Sequence, residues 1–190
     1  MSMLDGFAPD ARRAIVRAGA LAAQDGHATL GTDFLLLALA ERPPRGTSLG
    51  ITPEAVRADI QARTASPRRD RELLAAIGID LDEVRRRAFE ATGLRPDDPS
   101  LWRLRRSRLR PLRVTLTGPA AELPLDRQGR KAVEVAQWAA RRRRRTLVNA
   151  DDLLWGLLAD GSNASVGILR KHGVDLRRLW GGLHGHPEAA

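Results

Sequence analysis

The chain has 190 residues, 43% of them hydrophobic and 29% charged, enough apolar material for one domain or two small ones and too much for a disordered chain. It contains no cysteine, which excludes disulfides, thiolate metal sites and a cysteine nucleophile. Its net charge of +9 comes from two arginine runs, six arginines within Leu101–Arg113 and five at Arg141–Arg145; without them the chain is slightly acidic.

The first thirteen residues lack the basic-then-apolar pattern of a secretory signal, and the longest apolar run, Phe34 to Ala40, is far too short to span a bilayer. A cytoplasmic location with no membrane contact is therefore expected. From Pro9, which suits a first helical position, Ala11, Ala14, Ile15, Ala18, Leu21 and Ala22 recur at helical spacing and predict one apolar face built largely of alanine. Gly26 ends that helix. Gly31 or Thr32 caps the next, which carries Leu35, Leu36 and Leu39. Segment 42–48, with Pro43, Pro44 and Gly46, reads as a place where a helix has been lost or shortened.

A Gly–apolar–Thr/Asp signature follows at Gly50-Ile51-Thr52 and returns at Gly78-Ile79-Asp80 and Gly173-Val174-Asp175. Glycine closes one helix in the left-handed conformation, and Thr or Asp opens the next. Helices are predicted before the last two, over Asp70–Ile77 and Ser162–Lys171. Five prolines between Gly93 and Pro124 read as a linker whose middle, alternating arginine with leucine and Trp102, suits an extended stretch against one unit.

Sliding the chain by 118 residues aligns Phe7–Ala40 with Leu125–Leu158 without a gap, and eight of the 34 pairs are identical, among them Arg12/Arg130, Ala18/Ala136, Asp33/Asp151 and Leu36/Leu154. This is a duplicated unit. The expected organisation is a first repeat with an extra helix–Gly–helix element at 1–93, a basic proline-rich linker at 94–124, a second, degenerate repeat at 125–183, and a flexible tail at 184–190. In the second repeat Asp126 and Asn149 are expected caps, and Trp138 is expected to enlarge the apolar face.

The string Gly26-His27-Ala28-Thr29-Leu30-Gly31-Thr32-Asp33, followed by a leucine-rich helix, resembles the repeat motif of Clp N-terminal domains, found at the N-terminus of ClpA-, ClpC- and ClpB-type ATPases. Gly173-Val174-Asp175 is similar to the helix-to-helix turn of that repeat. The resemblance is close in the first repeat and weak in the second, where Arg144-Arg145 replaces Gly-His and Asn149-Ala150 replaces Gly-Thr. It implies an all-α fold of two pseudo-symmetric repeats, about eight or more short helices, and a non-enzymatic role in binding a Clp ATPase, an adaptor or a client. In ClpC-type domains the glutamate at the positions of Asp33 and Asp151 helps hold phosphoarginine. The resemblance thus makes Thr32, Asp33, Asp151 and Asp152 the candidate ligand-binding residues, and Gly26, His27, Gly31, Gly78 and Gly173 the structural ones. Read from the residues alone, each aspartate is a first-turn acid favoured by the helix dipole.

No Walker A string occurs, and none of the four histidines lies in a metalloprotease string or beside a nucleophile motif, so no enzyme activity, cofactor or metal is expected. The arginine runs, Arg103, Arg105, Arg106, Arg108 and Arg141, Arg142, Arg143, Arg144, Arg145, offer an alternative role in binding nucleic acid through phosphates, set against their reading as solvated surface. Trp102 is the odd residue in this run, either covering the core or standing exposed as a partner anchor.

Overall fold

The structure, a computed structural model, describes residues 2–63, 83, 87, 97–107, 112–119 and 121–184. The helices predicted around Gly78, together with Arg108 and the residues after His184, lie outside them. Pro9–Gln24 (α1) and Thr32–Glu41 (α2) form the first helical hairpin, and Pro53–Arg63 (α3) follows. Arg127–Arg142 (α4) and Ala150–Leu158 (α5) form the second, followed by Ala164–Lys171 (α6) and Leu176–His184 (α7). A shift of 118 carries Pro9–Gln24 onto Arg127–Arg142 residue for residue, so the first helices of the two units share their bounds. No described helix occupies 42–48, where the prolines predicted a loss.

The turns obey the sequence. Gly26, Gly50 and Gly173 adopt φ of 76°, 65° and 69°, the left-handed conformation expected of helix-ending glycines. Asp126 caps α4 by accepting the Gly129 amide at 2.6 Å, and Asn149 with Asp152 forms a capping box on α5.

The two halves interlock through paired parallel bridges. The Ala8 amide donates to Val148 O and the Val148 amide to Gly6 O; in the mirror arrangement the Asp126 amide donates to Leu30 O and the Leu30 amide to Pro124 O. Each bridge joins a helix entry of one unit to the inter-helix turn of the other. This is the pattern of a pseudo-twofold. α2 is buried on nearly every side, from Thr32 and Phe34 through Leu39, because helices of both units pack around it. That explains its unbroken apolar run.

The fold is not strictly all-α. The segment read as a linker carries a three-stranded antiparallel sheet, Arg103–Arg106 (β1), Val114–Gly118 (β2) and Ala121–Pro124 (β3), in the order β1-β2-β3. The prolines punctuate it: Pro99 opens a short 3-10 turn, Pro119 lies in the β2–β3 turn and Pro124 ends a strand. Leu104, Leu116 and Leu123 point inward onto α1, while Arg103 and Arg105 point out. Trp102 is buried beneath the sheet against Gly19 and Gly118, where a Cβ on Gly19 would stand 3.0 Å from its ring. The β1 edge is partly closed by Ser2, whose hydroxyl accepts the Leu104 amide at 3.1 Å.

Candidate functional site

The duplicated aspartates stand at equivalent places, one residue into α2 and α5. Asp33 is half-buried; its Oδ1 accepts the amide of Phe34 at 3.0 Å. Across from it lies Asp126, the cap of α4 in the other unit. Gly31 sits between the two, and a Cβ there would stand 2.6 Å from Asp33 Oδ1 and 3.3 Å from Asp126 Oδ2. A side chain there would displace the Asp33 carboxylate from its present place. Burial pushes the Asp126 carboxyl above the usual carboxylate range, and the neighbouring charge of Asp33 pushes in the same direction.

The second place is built differently. Asp151 is half-buried and its Oδ1 accepts the Thr47 hydroxyl at 3.4 Å, while Asp10 reaches across from α1 to accept the Ala150 amide at 3.2 Å. The position equivalent to Asp126 is Ala8, so here the facing carboxylate comes from Asp10 in the first turn of α1, and it is engaged by the Ala150 amide. Beside it runs a cleft of about 1060 Å³ between α1, the end of α2 and the 42–45 loop. Arg13, Arg42 and Arg45 line it without a side-chain partner among the described residues, whereas Arg17 is bound to Glu41 at 2.7 Å. The sequence reading passed over this cleft because its arginines are scattered singly rather than in a run.

The other two candidate residues are interior. Thr32 is fully buried, and its hydroxyl oxygen accepts the amide of Ser165, tying α2 to the entry of α6. Asp152 is also fully buried; it accepts the Asn149 amide and faces Arg143 and Arg145, each at 3.3 Å. Its carboxyl is held above its usual range by burial, with the arginines pulling the other way. These residues position the helix starts from within. His27 does likewise by packing: its ring stands edge-on to Phe34 at 4.6 Å, and its buried Nε2 has no hydrogen-bond partner among the described residues. Gly173 turns the chain into α7.

Among the described residues most arginines of the two runs are engaged within the chain, and only Arg106, Arg141 and Arg142 border a common face, on α4. Arg143 and Arg145 turn inward to Asp152, Arg106 pairs with Glu134 at 2.8 Å, and Arg142 lies over the Trp138 ring. Arg103 donates to the carbonyls of Ser100 and Trp102. Arg105, Arg141 and Arg144 are exposed. Trp102 takes the first of its two expected roles and covers the core, whereas Trp138, expected on the apolar face of α4, is 49% exposed. No group of histidines and carboxylates suited to a metal occurs among the described residues, and no described helix is long and apolar enough to cross a membrane.

No protein-family model and no curated protein matches the sequence. Among solved structures, the chain is similar to the N-terminal domain of the caseinolytic protease-associated chaperone ClpD from Arabidopsis thaliana. The TM-score is 0.56 at 17% identity, covering 96% of this chain and 97% of that one. The chain has a Clp N-domain-like fold. Within that fold the sheet packs on α1, and the paired helix starts keep an aspartate at equivalent positions, Asp33 and Asp151, in different surroundings.

Proposed function

We propose that the chain is a non-enzymatic protein-interaction module of a Clp-type chaperone or protease system, an accessory regulator, adaptor or decoy that binds a Clp ATPase, its adaptor or its client. The observation that carries this reading is the likeness to a Clp N-terminal domain along almost the whole chain, with an aspartate retained at both equivalent helix starts. A half-exposed carboxylate at such a start can pair with the guanidinium or ammonium group of an incoming chain. Phosphoarginine fits the Asp33 place poorly, because its phosphate would meet the second carboxylate of Asp126. Catalysis is not part of the reading: the sequence offers no phosphate cradle and no activated nucleophile.

The test is binding of the purified chain to purified Clp ATPase subunits and adaptors from the same cells, by interferometry. Asp33→Ala is expected to weaken capture more than Asp151→Ala, both variants keeping wild-type circular dichroism. Arg13, Arg42 and Arg45 line the cleft at the start of α5 and lower the appeal of that place to a cationic group. Failure to bind any Clp subunit, adaptor or client would overturn the reading. Calorimetry with free phosphoarginine is expected to show no saturable heat.

A further inference from the structure

The pseudo-twofold exposes a difference between the first helices of the two units. α1 and α4 bury the same six equivalent positions, Ala11 to Ala22 in one and Gly129 to Ala140 in the other. α1 buries two more, Val16 and Gly19. The sheet is the reason: a Cβ on Gly19 would clash with Leu116 of β2 and press on Trp102. The equivalents on α4 are Glu134 and Gln137, neither of them buried, with Trp138 and Arg141 beside them where α1 has Ala20 and Ala23. No described element covers this face of α4.

What stands there is not an ordinary solvated helix surface. Trp138 is 49% exposed, and the Arg142 guanidinium lies 5.2 Å above its ring. Arg141 is exposed one turn along, its Nε held by the Gln137 carbonyl at 3.2 Å. The end of β1 borders the face through Arg106, bonded to Glu134. Glu134 is the one acid of α4, and it is already shared between Arg106 and Arg130. The face is therefore an aromatic side chain surrounded by a surplus of arginine, the two residue types that most often anchor protein interfaces.

We propose that this face of α4 is a docking surface for an acidic segment of a partner protein, which lies where the sheet lies on α1. An apolar side chain of that segment would rest on Trp138, and its carboxylates would pair with Arg106, Arg141 and Arg142. Charge complementarity selects the occupant. A polynucleotide is disfavoured because Glu134 sits within the face and Arg142 already covers one side of the Trp138 ring that a base would need.

The test uses the whole chain and a short fluorescein-labelled peptide alternating glutamate with leucine, followed by anisotropy. Binding is expected to weaken as salt rises and to fall about five- to tenfold in Trp138→Ala. Trp138→Phe should retain most of the affinity, Arg141→Glu with Arg142→Glu should remove it, and Arg178→Ala on α7 should leave it unchanged. Absence of peptide binding, equal binding of a glutamine-for-glutamate peptide, or indifference to Trp138→Ala would overturn the proposal. So would tighter binding of labelled single-stranded DNA lost in the same variants. A dimer in sedimentation that Trp138→Ala dissociates would assign the face to a second copy instead, which also overturns it.

Discussion

Arg144 holds φ at 55°, the left-handed conformation that its counterpart Gly26 holds at 76°. The turn is kept, and the arginine is strained into it, because the backbone bonds on either side, Arg145 N to Ala140 O and Val148 N to Gly6 O, dictate where the chain must go. A side-chain-bearing residue in that conformation costs about 1–2 kcal/mol, while a glycine gives back part of that through a freer unfolded chain. Arg144→Gly should therefore stabilise the protein by about 0.5–1 kcal/mol in urea denaturation; a loss of stability would show that the arginine side chain contributes more than its backbone costs.

At the scale of elements, the two helical hairpins are alike in sequence and unequal in spacing. Ala38 of α2 and Gly156 of α5 are equivalent, yet only the first has room for a methyl group. A Cβ on Gly156 would run into the carbonyl oxygen of Ala132 on α4, a backbone atom that cannot rotate away. Gly156→Ala should accordingly cost about 3 kcal/mol by forcing α4 and α5 apart. Ala38→Gly, which only loosens its helix, should cost about 1 kcal/mol. Thermal unfolding of the two variants separates the cases, and equal effects would mean that the α4–α5 contact yields easily.

The whole molecule is held by contacts that cross the pseudo-twofold. Buried Asp59 of α3 receives Lys171 Nζ, from the end of α6, and lies 3.0 Å from His172 Nε2. The Lys171 hydrogen bond, with help from His172, holds the Asp59 carboxyl below its usual range against the opposing effect of burial. A carboxylate whose folded pKa is depressed stabilises the fold above its unfolded pKa, near 3.8, and loses that contribution as pH falls through the lower folded value. The stability gap between wild type and Asp59→Asn should thus be full at neutral pH and close progressively below about pH 4. A gap that persists unchanged to pH 2 would remove the ion pair from the account.

Much of the architecture was local and therefore readable. The period-3.6 alanine and leucine faces, the gapless shift of 118 residues and the glycines that end helices depend on neighbours within a turn or two, and the structure places them as read. The lost helix at 42–48 followed from two prolines and a glycine. The sheet was legible only as an extended stretch around Trp102, because strands of four and five residues carry too little alternation to outweigh the prolines around them. Which tryptophan is buried was decided by where that sheet settles: Trp102 under it on α1, Trp138 on the helix it does not reach. Thr32 looked like a ligand-facing residue until Ser165, 133 residues away, took its hydroxyl, and Asp152 until Arg143 and Arg145 turned inward to it. Helices and turns follow from chain-local energetics, which the sequence by itself determines. The partner of a polar side chain depends on residues brought near only when the two units close on one another, and only the tertiary structure decides it.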